Sequence, residues 1–320
     1  MTLQWGILFS GQGAQKTGMG LDCYEQSNVF RQVIDASSQE LQMDLLKVLR
    51  NENGELDLTR NVQPALVAVS LGFYAMLQHD LPQIDIRASV GLSLGEYSAL
   101  IASGKLPFQT GMRILKARAL AMERDSQAAE GKMYAIVDPQ DVVQILTICQ
   151  QHCSPDQVVQ IANYNSPHQI VIGGNAAVTR QVAKTIQDQQ LAAKVIELRV
   201  EGAFHTPLYT GTHHELARVI HEDDFVANSK CVLSNTTGKN FEPDSIAKTL
   251  VDQVVQPTHF GDCLQRMIDE DQVNATLEIG AGKALTSFAR QVDPQLQRER
   301  ITNYRNYQQF IEKAGEKEWI

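Results

Sequence analysis

A nucleophilic serine between two glycines is the first chemical feature of this sequence. Residues 91–95 read Gly-Leu-Ser-Leu-Gly, which places Ser93 between the strand-like run 86–90 and the helix-forming stretch 96–102. A serine in a sharp strand-to-helix turn has strained backbone angles and tolerates no bulk beside it, so both neighbours at this spacing must be glycine. The G-x-S-x-G pattern therefore indicates the nucleophile elbow of an acyl-transfer enzyme, although it also occurs by chance in loops.

A base and an anion-binding group suited to the same chemistry lie far away along the chain. His205 is in the loop 202–207, where an imidazole can reach a serine at a sheet edge; an exposed histidine without a role is the alternative. Arg118 is in a mostly apolar helical stretch, and burying a guanidinium is costly unless an anion accompanies it. That anion would be a substrate or, alternatively, Glu123 or Asp125 in a structural ion pair.

The glycine-rich loop after the first predicted strand is not a nucleotide site. Residues 11–13 read Gly-Gln-Gly, but Lys16 replaces the third glycine of a dinucleotide fingerprint, and Met19 and Gly20 replace the Lys and Ser/Thr of a phosphate loop. The N–H groups of this loop are suited to stabilising an oxyanion; an ordinary tight turn is the alternative. Arg218 occupies the position of the second histidine of a zinc-protease helix, so no zinc is expected.

The composition is that of a globular enzyme. The 320 residues are 43% hydrophobic and 20% charged, and the net charge of -9 argues against a nucleic-acid partner. No apolar run is long enough to span a membrane, and the apolar stretch 5–9 is too short for a secretory core. Five cysteines are scattered along the chain, and Cys149 and Cys153, one helical turn apart, form no recognisable metal site. These features predict reduced thiols and a cytoplasmic location.

The order of predicted elements indicates an α/β fold with two domains. Strand-like runs alternate with helical patterns, which implies a mostly parallel sheet covered on both faces. Residues 130–197 instead give the order β-α-β-β-α-β of a ferredoxin-like unit, flanked by Gly131 and Gly202. We therefore expect a large α/β-hydrolase-like domain at 1–129 and 198–320, into which a small ferredoxin-like domain is inserted.

Individual elements are predicted from hydrophobic periodicity. Helical patterns lie near residues 22–50, 62–79 and 108–127, and a strand is predicted at 275–279. The polar tail from Asp293 onward is predicted to be a peripheral helix or a frayed end.

Seven short segments, taken in order, agree with one known family. They are residues 9–15 (FSGQGAQ), 91–100 (GLSLGEYSAL), Arg118 in its helix, 163–167 (NYNSP), 202–208 (GAFHTPL), 252–257 (DQVVQP) and 278–283 (EIGAGK). Nearly the whole chain resembles the malonyl-CoA:acyl-carrier-protein transacylase family, the acyltransferases of bacterial fatty-acid and polyketide synthesis.

The resemblance implies a role for each catalytic candidate. Ser93 would be the nucleophile and His205 the general base. The imidazole would be oriented by the main-chain carbonyl of Gln253, so that no carboxylate is needed in this position. The backbone N–H groups of Gln12 and Leu94 would form the oxyanion hole.

The same resemblance implies how the acyl group is chosen. Arg118 would hold the free carboxylate of malonyl as a bidentate partner. In the related polyketide acyltransferases, a bulky residue immediately before the base accompanies a preference for malonyl over branched acyl groups. Phe204 is the residue in this position here. Leu92 is a departure, because many members of the family have histidine there, and any polar support from that histidine is absent in this chain.

The activity implied by the resemblance is a ping-pong transfer from malonyl-CoA to Ser93 and then to the phosphopantetheine thiol of an acyl carrier protein. No metal or redox cofactor is required. We expect a monomer that docks the acidic carrier protein through a local Lys/Arg patch, since the chain itself is negative. One alternative is a hydrolase or proofreading thioesterase on the same scaffold. A hydrolase of neutral acyl groups, however, would gain nothing from a buried cation such as Arg118. A second alternative is a docking module without catalysis, which would not need Ser93 and His205 together.

Overall fold

The computed structural model describes residues 3–317 and 319. Within them, the strands are β1 Trp5–Phe9, β2 Ile86–Gly91, β3 Gly131–Pro139, β4 Val159–Ser166, β5 Gln169–Asn175, β6 Ala192–Glu197, β7 Cys231–Ser234, β8 Lys239–Asn240, β9 Ala275–Ile279 and β10 Gln297–Ile301. The α-helices are α1 Leu21–Gln26, α2 Asn28–Leu41, α3 Leu45–Arg50, α4 Thr59–Asp80, α5 Gly95–Ala102, α6 Phe108–Ala128, α7 Val142–His152, α8 Ala176–Asp188, α9 Thr210–Val219, α10 Ile246–Gln253, α11 Phe260–Asp269, α12 Ala284–Val292 and α13 Tyr304–Glu316. Short 3-10 helices lie at Glu55–Asp57, Pro207–Tyr209, Glu222–Asp224 and Pro243–Ser245. None of the helices in this part of the chain is long and apolar enough to cross a lipid bilayer.

Six strands form the larger sheet, in the order β10-β9-β1-β2-β7-β8. All neighbouring pairs are parallel except β7 and β8. The five residues of β1 are all buried, as expected for an apolar strand at the centre of a sheet that is covered on both faces. The predicted mixed α/β fold with a mostly parallel sheet is therefore confirmed.

This sheet brings residues that are distant in the sequence to one edge. The carboxyl ends of β1, β2 and β7, which are neighbours in the sheet, lead into the loop 11–13, Ser93 and Asn235, respectively. In open parallel sheets, ligands bind outside the carboxyl ends of the strands. The strand order therefore explains how the first loop of the chain and the elbow serine come to lie beside each other.

The second sheet is antiparallel and lies between two cores. Its strands follow the order β4-β5-β3-β6, and α7 and α8 pack against it. In β3, Tyr134 and Ile136 belong to the core formed with these two helices, whereas Met133 and Ala135 belong to the core of the larger sheet. Because successive side chains of a strand point to opposite faces, one face of this sheet contributes to the main core.

The helical pattern predicted near residues 22–50 is divided into three helices. Ser27 starts α2, since its side chain accepts a 3.2 Å hydrogen bond from the N–H of Phe30, and Gln42 ends α2 in the left-handed region with φ +52°.

The prediction for the tail after Asp293 is wrong in part. Residues 297–301 form β10, an edge strand that is parallel to β9, before α13 begins. Of this strand only Ile301 is fully buried, so its sequence is mostly polar and lacks the signature of a buried strand. Nor is α13 frayed at its centre, since Phe310 packs edge-on against Trp5 with ring centroids 5.4 Å apart.

Candidate active site

The elbow serine lies in a strained turn between β2 and α5. Ser93 has φ +52°, in the left-handed region that L-residues other than glycine seldom adopt. A Cβ atom at Gly91 would lie 1.8 Å from the carbonyl carbon of Gly95, and one at Gly95 would lie 2.2 Å from the carbonyl oxygen of Phe9. Both positions therefore exclude any side chain, which is the reason for the glycine spacing seen in the sequence.

His205 is hydrogen-bonded to Ser93. Its Nε2 atom lies 2.8 Å from Ser93 Oγ, and its Nδ1 atom lies 2.7 Å from the main-chain oxygen of Gln253. Because a carbonyl oxygen can only accept a hydrogen bond, Nδ1 carries the proton and the lone pair of Nε2 faces the serine hydroxyl. The Ser93 and His205 side chains thus have the geometry of a nucleophile and its base.

The backbone of His205 is also strained, with φ +61°. Its carbonyl oxygen accepts a 2.8 Å hydrogen bond from Nε2 of Gln160 in β4, so the second sheet holds this loop in place. The alternative of an exposed histidine is wrong, because His205 is only 3% exposed. Burial lowers the pKa of His205 to about 4, and the nearby cation of Arg118 acts in the same direction. At neutral pH the imidazole is therefore in the form that accepts a proton.

Arg118 extends from α6 into the same site and is 1% exposed. Its Nη1 donates to Oε1 of Gln63 at 2.7 Å, and its Nη2 donates to Oε1 of Gln253 at 3.1 Å and to Ser93 Oγ at 3.2 Å. The guanidinium also lies over the ring of Tyr97, 5.4 Å from its centroid. Burial lowers the pKa of Arg118, but a guanidinium remains charged in proteins.

The alternative prediction, a structural ion pair of Arg118 with Glu123 or Asp125, is wrong. Glu123 pairs with Arg60 at 2.7 Å, and Asp125 accepts hydrogen bonds from the N–H and Oγ1 of Thr212. Within residues 3–317 and 319, Arg118 forms no ion pair at all, and its hydrogen bonds go to neutral oxygens. A buried cation without a counter-ion is an arrangement that favours the binding of an anion.

Two backbone N–H groups at the sheet edge are available beside Ser93. The amides of Gln12 and Leu94 donate to no acceptor in the described part of the chain. Leu94 immediately precedes α5, so its N–H lies at the positive end of that helix dipole. The two loops are in close contact, since a Cβ atom at Gly11 would lie 2.4 Å from the carbonyl oxygen of Leu92.

Several polar side chains that the sequence pattern does not predict as part of the site support these groups. Glu96 accepts hydrogen bonds from the N–H of Asn235 at 2.5 Å, from its Nδ2 at 2.6 Å, and from Nε2 of Gln253. Gln63 donates to Oε1 of Gln12 at 3.1 Å and so connects that loop to Arg118. Burial raises the pKa of Glu96 to about 8, whereas the N–H donors lower it. The available signal was a charged residue in the otherwise apolar start of α5.

A cavity of about 160 Å³ lies among Ser93, Arg118 and His205. Its apolar wall consists of Leu92, Leu94, Met122, Met133, Val171, Leu198, Val200 and Phe204. Phe204 is largely buried and packs against Tyr209, with ring centroids 5.3 Å apart. The cavity therefore combines a buried cation, a serine hydroxyl and an apolar wall.

A larger groove of about 1190 Å³ lies next to this cavity and shares Gln12, Leu92 and Asn165 with it. The groove is lined by six basic residues, Lys16, Arg199, Lys283, Arg290, Arg298 and Arg300. None of the six forms an ion pair with a carboxylate in the part of the chain that the structure describes. The groove is therefore a locally positive surface on a negatively charged protein.

The structure offers no metal centre among residues 3–317 and 319, because no three His, Cys, Asp or Glu side chains come together there to hold an ion. Cys149 is buried and Cys153 exposed, and burial raises the pKa of the Cys149 thiol to about 12.

Comparison with known proteins assigns the chain to the acyl transferases: the family described as acyl transferase domain matches residues 7–302. A malonyl CoA-acyl carrier protein transacylase of Bacillus subtilis (strain 168) is 32% identical over 91% of this chain and 90% of that protein. The crystal structure of MCAT from Streptococcus pneumoniae is 34% identical, with a TM-score of 0.89 over 97% of this chain and 100% of that one. The chain belongs to the malonyl CoA-acyl carrier protein transacylase family.

A further similar structure contains a partner. It is a type II PKS acyl-carrier protein in complex with its malonyl-transacylase, and the similar chain is 26% identical, with a TM-score of 0.89 over 97% of this chain and 99% of that one.

Proposed function

We propose that this protein transfers a malonyl group from malonyl-CoA to the phosphopantetheine thiol of an acyl carrier protein, through a malonyl-Ser93 intermediate. The observation that carries the proposal is Arg118, a buried cation without a counter-ion whose Nη2 lies 3.2 Å from Ser93 Oγ. A nucleophile beside a fixed cation suits an acyl group that ends in a carboxylate. The names of the family members support the same substrate and acceptor.

In the first half-reaction, Ser93 attacks the thioester. His205 Nε2 takes the hydroxyl proton as Oγ bonds to the carbonyl carbon, and the carbonyl of Gln253 keeps the imidazole oriented. The oxyanion accepts hydrogen bonds from the N–H groups of Gln12 and Leu94, each of which lowers the activation barrier by roughly 3 kcal/mol. The intermediate then breaks its C–S bond, and the CoA thiolate takes the proton from His205.

The second half-reaction reverses these steps with the carrier thiol. His205 takes the thiol proton, the sulfur attacks the ester carbonyl, and the C–O bond to Ser93 breaks as Oγ recovers its proton. Arg118 holds the malonyl carboxylate throughout. Every proton and electron pair is accounted for by these groups, so the proposed reaction uses no metal or redox cofactor.

The walls of the cavity support malonyl as the preferred acyl group. Phe204 lines the cavity together with His205, and a bulky side chain there would disfavour a branch on the malonyl carbon. Leu92 lines both the cavity and the groove, where it adds an apolar surface.

The basic groove supports docking of the carrier and of CoA. Both ligands carry phosphate, and carrier proteins are typically acidic, so the six positive side chains would attract either. We propose that the pantetheine arm runs from this groove past Leu92 to Ser93. Such binding is transient and weakens with salt. The monomeric state and the cytoplasmic location stay predictions.

We also propose the finer description of the fold. Residues 130–197 would be a ferredoxin-like domain inserted into a hydrolase-like domain at 1–129 and 198–320. The strand order β4-β5-β3-β6, with two helices against one face and a separate core, supports this division.

Intact-mass spectrometry tests the proposed function. The protein is incubated with malonyl-CoA and then with carrier protein loaded with phosphopantetheine. We expect a malonyl adduct that disappears as malonyl-carrier appears. Loss of the adduct to water at the same rate without carrier would instead indicate the hydrolase.

Two serine variants complete this test. Ser93→Ala should abolish the adduct. Ser98→Ala is the matched control, because Ser98 is buried in α5 and its hydroxyl has no hydrogen-bond partner among the described residues. An adduct that persists in Ser93→Ala would refute the nucleophile assignment.

A further inference from the structure

We infer that Glu96 is a positioning residue for acyl-group recognition: its carboxylate fixes the side-chain amide of Gln253 so that Oε1 of Gln253 faces Arg118. This inference rests on the function proposed above, because it assigns Glu96 a part in how Arg118 selects malonyl.

Glu96 is surrounded by hydrogen-bond donors. It is fully buried at the start of α5, where Oε1 accepts from the N–H and Nδ2 of Asn235 and Oε2 accepts from Nε2 of Gln253. Three N–H donors thus converge on its two oxygens, so both oxygens act as acceptors. Glu96 therefore joins the ends of β7 and α10 to the elbow helix.

The Gln253 amide has two possible orientations, and its neighbours select one. Its Nε2 donates to Glu96 and, at 3.1 Å, to the main-chain oxygen of Ser93, while its Oε1 accepts from Nη2 of Arg118 at 3.1 Å. The reverse orientation would put an oxygen against a carboxylate and an NH₂ group against a guanidinium. Through Gln253, Glu96 thus keeps an acceptor oxygen facing the guanidinium that would bind the substrate.

This coupling predicts an effect on acyl preference and not only on stability. The Gln253 oxygen holds Nη2 of Arg118 close to Ser93 Oγ, so that a malonyl carboxylate meets the guanidinium while its thioester meets the serine. An acetyl group has no carboxylate and does not use this arrangement. Loss of the Glu96 acceptor should therefore impair malonyl transfer more than acetyl transfer.

Glu96→Gln is the variant that tests this coupling. It keeps the size of the side chain but replaces one acceptor oxygen by an NH₂ group, which must face a donor of Gln253 or Asn235. The test compares rates of Ser93 acylation by malonyl-CoA and acetyl-CoA, followed by intact mass. We expect the malonyl-to-acetyl ratio of kcat/KM to fall about tenfold, as for the loss of one hydrogen bond to a charged group. An unchanged ratio would overturn the inference.

Asn235→Ala is the matched control. It removes the Nδ2 donor to Glu96 and to the carbonyl of Gly91 but leaves the contact between Glu96 and Gln253. It should lower the thermal midpoint and leave the malonyl-to-acetyl ratio in place. A fall in the ratio as large as that of Glu96→Gln would mean general loosening of the site and would also overturn the inference.

Two further variants make the test independent of one substitution. Gln253→Met removes the amide but keeps the main-chain carbonyl that His205 uses, and should reproduce the fall in ratio even if Glu96→Gln does not fold. In Arg118→Ala, adding Glu96→Gln should cause no further fall, since the coupling acts through Arg118. If the two substitutions lower the malonyl-to-acetyl ratio additively, the proposed coupling is contradicted. If the wild-type protein forms no malonyl adduct, the proposed function itself has failed; if it does and the ratios do not move, only this inference has failed.

Discussion

The Nη2 atom of Arg118 lies 3.2 Å from the Oγ atom of Ser93, which is itself 2.8 Å from Nε2 of His205. The cation and the base thus meet at one hydroxyl, although Arg118 and His205 are carried by different elements of the chain. In malonyl, a single methylene separates the carboxylate from the thioester carbonyl. The short distance between Arg118 and Ser93 Oγ therefore supports a short diacid as the proposed acyl group.

Arg118→Ala should reduce malonyl acylation of Ser93 about 100-fold or more, because an unpaired carboxylate would then be buried in the cavity. Acetyl acylation should change far less. Initial rates with malonyl-CoA and acetyl-CoA, measured by intact mass, check this expectation.

Arg118→Lys is a control that keeps the positive charge but loses the planar geometry of the guanidinium. Lysine keeps the cation but cannot replace three hydrogen bonds that diverge from one planar group, so it should recover only part of the malonyl rate. Equal losses for malonyl and acetyl in Arg118→Ala would count against carboxylate recognition.

The rate of acylation should be insensitive to pH across the neutral range. Burial lowers the pKa of His205 to about 4, so the neutral base is already present well below pH 7, and the rate should fall only as the pH falls through about 4. The measurement is kcat/KM for formation of the malonyl adduct from about pH 4.5 to pH 8. A midpoint near 6.5, the ordinary value for histidine, would show that the base is not in this buried environment.

How much of this site could be predicted depends on the kind of signal each residue leaves. Gly91 and Gly95 are dictated by backbone contacts, so the position of Ser93 is visible in the sequence. The contact between Glu96 and Gln253 leaves no such trace. Periodicity predicts that both belong to helices, but which buried polar groups pair depends on how β2, β7 and α10 meet in three dimensions.

The fold shows the same contrast. The strand β9 is predicted from the sequence alone, because Ala275, Leu277 and Ile279 alternate with polar residues at the period of a strand. The adjoining β10 is not, because at the edge of the sheet most of its side chains are at least partly exposed. The sequence pattern thus predicts the interior strands and misses β8 and β10 at the two edges of the sheet.

Reversing a charge in the basic groove should weaken productive docking of the carrier. Lys283→Glu should raise the KM for carrier protein about tenfold and reduce the dependence of this KM on salt, because an attractive charge becomes repulsive. Steady-state transfer at several salt concentrations measures both effects.

Lys230→Glu is the matched control. Lys230 precedes β7 and so lies at the amino ends of the strands, whereas the groove lies at their carboxyl ends. Its KM for carrier should not change. Acylation by malonyl-N-acetylcysteamine, a short thioester without phosphate, should be unaffected in Lys283→Glu; a loss there would mean that the variant disturbs the cavity and not docking.

Phe204→Ala should let branched acyl groups reach Ser93. The ring lies in the wall of the cavity that contains His205 and is held by Tyr209, so its removal frees space beside the malonyl carbon. One added methyl group is worth roughly 1–3 kcal/mol in such a pocket, and we expect the methylmalonyl-to-malonyl ratio of kcat/KM to rise at least about tenfold. The cost is a cavity that should lower the free energy of unfolding by about 3 kcal/mol. Competition between malonyl-CoA and methylmalonyl-CoA, followed by the masses of the two adducts, measures the ratio. Met133→Ala enlarges the same cavity at another lining residue and controls for volume alone. If it raises the ratio as much as Phe204→Ala, the position next to the base has no special part in selecting the acyl group.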